Sequence, residues 1–263
     1  MYNMNNYTQL NVRIDGHVAV LTLDSPPVNA LTRILNDELT QALDIISETP
    51  EIRAVVLTGA GKVFCAGADL KGRAENIKHP GDLMAHSRRT RECFHAIREC
   101  AKPVVVAING AALGSGLAMV ASSDVLIASE RATLGLPEVD VGLLGGCSHA
   151  MRLFGHSRVR RMMLTGWRVP AEELYRTGVV EACTPHDELM PTALDMARTI
   201  AAKSPVSTRM GKHTLNTLED MGASLRDGYR YEQDMTAQIG QTCDAKEAQA
   251  AFREKRTPVF TGR

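Results

Sequence analysis

Between residues 103 and 124 the chain reads PVVVAINGAALGSGLAMVASSD, a strand-like apolar run, then a turn with Gly110, Gly114 and Gly116, then small apolar residues of helical character. Hardly a side chain in that turn can move a proton, attack a carbonyl or hold a metal. The group it offers for chemistry is therefore the peptide N–H. A helix beginning near Gly114 presents unpaired N–H donors at the positive end of its dipole, and glycines let a ligand oxygen approach closely. A second small-residue turn, VFCAGADLKG at 63 to 72, follows the strand-like AVVLTG of 54 to 59. Close packing of helix on sheet accounts for either turn alone. Two of them, each after a strand, describe the two halves of a site that holds an oxyanion between backbone amides.

Other uses of glycine fail on spacing. A nucleophile elbow needs glycines two residues either side of a serine, but Leu113 and Leu117 flank Ser115. A dinucleotide fingerprint running Gly114, Gly116 meets Met119 at its third position, and Lys62 of TGAGKV lacks the Gly and Ser/Thr of a P-loop. Metal chemistry is no better served. The cysteines at 65, 93, 100, 147, 183 and 243 form no C-x-x-C and read as reduced thiols. His79 and His86, like His149 and His156, stand seven apart, about 10 Å along a helix and too far to share an ion.

The elements that must position the two turns alternate in period. HVAVLTL (17 to 23), AVVLTG, PVVVAI (103 to 108) and DVLIAS (124 to 129) are continuous apolar runs, as in a sheet covered on both faces. Ile34, Leu35, Leu39, Leu43 and Ile46 recur at helical spacing, and a second helix is expected over 86 to 101, stopped by Pro103. Beyond residue 146 strands largely disappear and helical patterns run to the end. The expectation is an α/β core over residues 1–190 with a helical region over 191–263. Thirty basic residues balance thirty acidic ones, so the net charge is zero and nucleic acid or an anionic membrane is a poor partner. The N-terminus has no secretory or transit pattern and no run approaches a membrane span, so a cytoplasmic protein is expected.

VFCAGADLK, KPVVVAINGAALGSG followed by SDVLIAS, LGLPEVDVGLLGG and the ending AFREKRTPVFTGR resemble, in order and interval, the crotonase superfamily, the enoyl-CoA hydratase/isomerase family. The resemblance runs from about residue 10 to the C-terminus. It implies a spiral of ββα turns with a helical C-terminal trimerisation region, assembled as a homotrimer or a dimer of trimers. It also implies an acyl-CoA substrate whose thioester oxygen sits between two N–H groups, here those of Ala68 and Ser115, and becomes an enolate. Coenzyme A then enters as part of the substrate, and no cofactor is permanently bound. By the same resemblance Ala30 in PPVNAL, with Ala66, Asp69, Leu70 and Lys71 in the CAGADLK turn, hold the CoA. Phe252 borders the adenine, and Lys255 reaches a phosphate from a neighbouring subunit.

Of the two glutamates that hydratases of this family carry, the one in PE is present as Glu138, with Leu134, Leu136 and Val139 expected around it, while the other falls on Ala118. Read alone, Glu138 is a turn carboxylate after Pro137, and Asp140 can face a structural arginine such as Arg152. In its motif Glu138 is the general base. One carboxylate suffices to take a proton and return it two carbons away, which favours double-bond isomerisation or a specialised hydration. Hydroxycinnamoyl-CoA lyases of the family share the single glutamate and use C-terminal tyrosines, for which Tyr229 and Tyr231 are the candidates. Another acyl-CoA lyase or hydrolase, and a non-catalytic or RNA-binding relative, are the remaining alternatives. The RNA-binding reading wants a lysine-rich face, and the SRRTRE cluster at 87 to 92 is short.

Overall fold

The computed structural model describes residues 6–263. Its larger sheet has six strands: β1 (Leu10–Asp15), β2 (Val18–Leu23), β3 (Ala54–Gly59), β5 (Val104–Ile108), β7 (Val125–Ser129) and β10 (Ala182–Thr184), neighbours in that order. Only the β1–β2 pair is antiparallel. The smaller sheet has the order β4 (Val63–Cys65), β6 (Ala111–Leu113), β8 (Thr133–Gly135) and β9 (Arg168–Pro170). In it β4, β6 and β8 run parallel, and β9 closes the edge antiparallel. Each consecutive pair, β3–β4, β5–β6 and β7–β8, therefore gives one strand to each sheet before the chain turns helical. That repetition is the spiral of ββα turns.

Helices α1 (Arg33–Glu48), α2 (Leu70–Asn76), α3 (Asp82–Glu99), α4 (Ser115–Ser122) and α5 (Cys147–Leu153) belong to these turns. After them come α6 (His156–Thr165), α7 (Ala171–Arg176), α8 (Leu189–Ala201), α9 (Pro205–Met221), α10 (Leu225–Gly240) and α11 (Cys243–Glu254). The apolar runs are explained by burial on both sides of the larger sheet. Val55, Leu57, Val104 and Val106 join the main core, whereas Ala54, Val56, Val105 and Ala107 face the stripe Leu189, Ala193, Ala197 and Ala201 of α8. Spacing by four puts those α8 residues on one face, and alanines bring its backbone close to the sheet.

The local readings are adjusted in four places. Ile34 sits within the α1 periodicity yet is 50% exposed, because the buried stripe is Leu35, Leu39, Ala42, Leu43 and Ile46. Helix α3 begins at Asp82, four residues before the spacing places it. The glycine turn after β5 is interrupted by β6, so Gly110 and Gly114 lie on opposite ends of a short strand. Strands β9 and β10 lie beyond residue 146, where strands were expected largely to disappear and neither was placed.

One buried charge ties the helical region to the core. Lys212 on α9 is 5% exposed, lies 2.8 Å from Asp124 Oδ2, and donates to the carbonyls of Ile97 and Lys102 at 3.1 and 3.3 Å. Asp124 also accepts the Val104 N–H at the start of β5. Lys212→Met leaves this carboxylate without its cation, so a loss of about 3 kcal/mol in chemical denaturation is expected, the low end for breaking a buried pair because Asp124 keeps some water contact.

Candidate active site

Parallel pairing of β4, β6 and β8 sets their C-terminal ends side by side, and each end is followed within two or three residues by a group the sequence singled out: Ala68, Ser115 and Glu138. All three, with Ala118, line one cavity of about 370 Å³. The lining also includes His86, Phe94, Leu143, Leu144 and His149.

Ala68 is held from outside the spiral. Its neighbours bond to Leu31 on both sides, Leu31 N–H to Gly67 O at 2.8 Å and Asp69 N–H to Leu31 O at 3.3 Å. The loop carrying Leu31 is anchored by buried Asn29, which donates to Ala60 O and Val63 O and accepts the Ser25 N–H. Bonding of its neighbours leaves the Ala68 N–H itself without an acceptor among the described residues. Ser115 is the first residue of α4, where a helix has no internal acceptor to offer, and its N–H is likewise unpaired among the described residues. Gly67 and Gly116 make the approach possible. A methyl group on Gly67 would stand 3.2 Å from Leu113 O, and one on Gly116 2.4 Å from Cys65 O.

Glu138 sits in the 3-10 turn Pro137–Val141 after β8, closed by the Leu143 N–H donating to Glu138 O. Its carboxylate lies over Gly114, where an added methyl would be 2.8 Å from Oε1, and Oε2 is buried with no hydrogen-bond partner among the described residues. Desolvation pushes its pKa up from the ordinary carboxylate value, opposed by a bond from its own N–H. The large apolar side chains at the cavity are Phe94, Leu143 and Leu144. Val139, expected beside the carboxylate, is exposed, while Leu134 and Leu136 are buried in the core. Across the cavity, His149 meets Phe94 edge to face at 5.2 Å, and burial, Arg152, His95 and Arg98 lower its pKa. His149 and the polar residues of α3 were missed as site residues; only their positions on helices were legible.

The remaining candidates fall elsewhere. Asp69 Oδ1 accepts the Gly72 N–H and so caps α2, on which Leu70 and Lys71 are exposed. Ala66, exposed, and Ala30, half-buried, lie in the two neighbouring loops. Phe252 is 86% exposed on α11 and Lys255 is exposed just past its end, and neither lines the Glu138 cavity. Arg152 does not face Asp140: it pairs with Glu219 and donates to Ala121 O, while Asp140 packs against Gly166. Tyr229 is exposed and Tyr231 lines a different cavity beside Arg98 and Met210. Among the described residues no cluster of three His, Cys, Asp or Glu is placed to hold a metal, and no helix is long and apolar enough to cross a membrane.

Residues 13–263 match the Enoyl-CoA hydratase/isomerase family. The chain belongs to that family. It is 38% identical over 255 residues, 94% of this chain and 95% of the relative, to the putative enoyl-CoA hydratase/isomerase YngF of Bacillus subtilis. It is 37% identical over 240 residues, 91% of this chain and 96% of the relative, to the (7aS)-7a-methyl-1,5-dioxo-2,3,5,6,7,7a-hexahydro-1H-indene-carboxyl-CoA hydrolase of Mycobacterium tuberculosis. Among solved structures, an enoyl-CoA hydratase from Bacillus anthracis superposes with a TM-score of 0.90 at 32% identity, covering 97% of this chain and all of that one. Family membership agrees with the expected ββα spiral, and the architecture of this family member carries the helical C-terminal region as well.

Proposed function

We propose that this enzyme binds an acyl-CoA with the thioester oxygen between the N–H groups of Ala68 and Ser115, and that Glu138 moves a proton at the carbon conjugated to that carbonyl. The observation carrying the reading is the meeting of two unpaired amides and one half-buried, desolvated carboxylate in a single cavity. The amides stabilise the enolate oxygen as its charge develops. Glu138, ionised, takes the proton and, once protonated, returns it, since a raised pKa narrows the gap between the two states at neutral pH. Ala118 contributes no second carboxylate, which favours shifting a double bond over adding water. A reducing, cytoplasmic setting suits the six free thiols. Exposed Phe252 and Lys255 complete a CoA site only across a subunit boundary, as a trimer or dimer of trimers would provide.

Hydrolysis of an acyl-CoA is the second reading, favoured by the likeness to the mycobacterial hydrolase and by His149 in the cavity as a further proton-transfer group. The lyase reading lacks its tyrosines within the chain, because neither Tyr229 nor Tyr231 lines the cavity. Incubation with a panel of acyl-CoA esters and mass spectrometry separates the classes. Isomerisation conserves mass but shifts retention time and enoyl absorbance, hydration adds one water, and hydrolysis splits the ester; esters unchanged in mass, retention and absorbance throughout would overturn the assignment.

Two substitutions probe the parts. Ser115→Ala keeps the N–H and is expected to retain most activity, whereas Ser115→Val is expected to damage it through geometry in steady-state assays. Loss of turnover in a folded, CoA-binding Ser115→Ala protein would make the hydroxyl a participant. Ala118→Glu restores a second carboxylate to the cavity and is expected to raise hydration of crotonyl-CoA above the parent rate.

A further inference from the structure

The cavity wall formed by α3 is chemically out of character for a plain hydrocarbon tail. His86, Ser87, Thr90, Arg91, Phe94 and His95 all line it, the last four at spacings of three, four, seven and eight from Ser87. That is the pattern of one helical face, the pattern an apolar stripe would follow, yet five of the six are polar. The core face of the same helix, Cys93, Phe94 and Ile97, is apolar in the ordinary way. His149 adds a further polar group from α5, and the only carboxylate lining the cavity among the described residues is Glu138.

The acid–base balance of this wall is one-sided. Arg91 is a permanent cation whose side chain is 55% exposed and pairs with its chain neighbour Glu92, with Nε 3.4 Å from Oε1. Such a pair is weak, and water or a better acceptor displaces it readily. An aliphatic tail lying along this face would strip water from donors and give nothing back. An acceptor at the end of the tail would replace that water and gain a charge-assisted, forked contact from the guanidinium.

We propose that the acyl group this enzyme takes ends in a carboxylate, received by Arg91 and the neighbouring polar residues on the cavity face of α3. The proposal rests on reading the cavity as the acyl-CoA site. The substrate class is thus a monoester of CoA with a dicarboxylic acid. The thioester end reacts between the α4 N-terminus and Glu138, and the far carboxylate sets the length and orientation of the acyl chain.

Calorimetric titration of the whole protein in its native assembly tests this without requiring turnover. Succinyl-, glutaryl- and adipoyl-CoA are each compared with the ester in which an isopropyl group replaces the terminal carboxylate, so that shape is held nearly constant. At one chain length the carboxylate ester is expected to bind at least about tenfold more tightly, the lower end for a charge-assisted contact at a partly exposed site. Arg91→Gln is expected to collapse that ratio, and Arg91→Lys to restore part of it. A folding defect would weaken both members of a pair together and leave their ratio alone. Equal or weaker binding of the carboxylate ester at every length, or a ratio untouched by Arg91→Gln, overturns the proposal while leaving the acyl-CoA reading standing. Failure of all the esters to bind overturns both.

Discussion

Glu138→Gln is expected to lose at least about a hundredfold in turnover, the lower end for removing a general base, with acyl-CoA affinity little changed. The same variant is expected to melt at a higher temperature than the parent at neutral pH. Both follow from one feature, a carboxylate desolvated at the cavity with Oε2 unpartnered. Glu138 has its ordinary pKa in the unfolded chain and a raised one when folded. Between those two values the native state holds a proton that the unfolded state has released, so stability falls as pH rises through the window. Above it the native state carries the full penalty of an ionised, poorly solvated carboxylate, which the neutral amide does not. The stability advantage of Glu138→Gln should therefore fade as pH drops below the ordinary carboxylate range. Activity runs the opposite way. The base works ionised, so the acid limb of kcat/KM should lie above the usual carboxylate value. A Glu138 that merely closed the turn would change neither rate nor pH profile on becoming glutamine.

Gly114→Ala is expected to be nearly as damaging, for a reason no side chain supplies. Gly114 has φ 53° and ψ −110°, a backbone conformation that side-chain-bearing residues rarely adopt, and its N–H is already committed to Gly135 O. A methyl group there would stand 2.8 Å from Glu138 Oε1 and 3.8 Å from Gly67 Cα. It would push the carboxylate and the two amide loops apart at once. Displacement on the order of 1 Å is enough for about a hundredfold loss in rate. Gly178→Ala is the control, because Gly178 has φ 71° but nothing within 4 Å of an added methyl. It should lose about 1–2 kcal/mol of stability from left-handed strain and keep its activity. Equal activity in the two alanine variants would show that Gly114 serves the backbone alone.

Much of this was legible in the chain because its causes are local. The four buried strands β2, β3, β5 and β7 read as apolar runs since both sheet faces are covered. The start of α4 read from Gly114 and the small residues after it. The smaller sheet was illegible: β4, β6, β8 and β9 are three residues each, too short for a period-two pattern to declare itself. That sheet is what aligns Ala68, Ser115 and Glu138, so the sequence named the groups through a family resemblance while their convergence needed the fold. The α3 residues at the cavity read only as part of a helix, because nothing local tells a residue that its solvent is a cavity. Arg152 was named as an arginine that Asp140 can face, but its partner Glu219 is contributed by α9, 67 residues along the chain. Phe252 and Lys255 stay exposed, since a single chain cannot supply the neighbour that their proposed role requires.

The central claim is that Glu138 exchanges a proton with the carbon next to a thioester held by two amides. Incubating the enzyme with a 3-enoyl-CoA in heavy water and following deuterium at that carbon by mass spectrometry tests it directly. The parent should wash in deuterium, whether or not the double bond moves on. Glu138→Gln should reduce the exchange rate at least about a hundredfold. Exchange that continues undiminished in the folded, acyl-CoA-binding Glu138→Gln protein would contradict the assignment of Glu138 as the base.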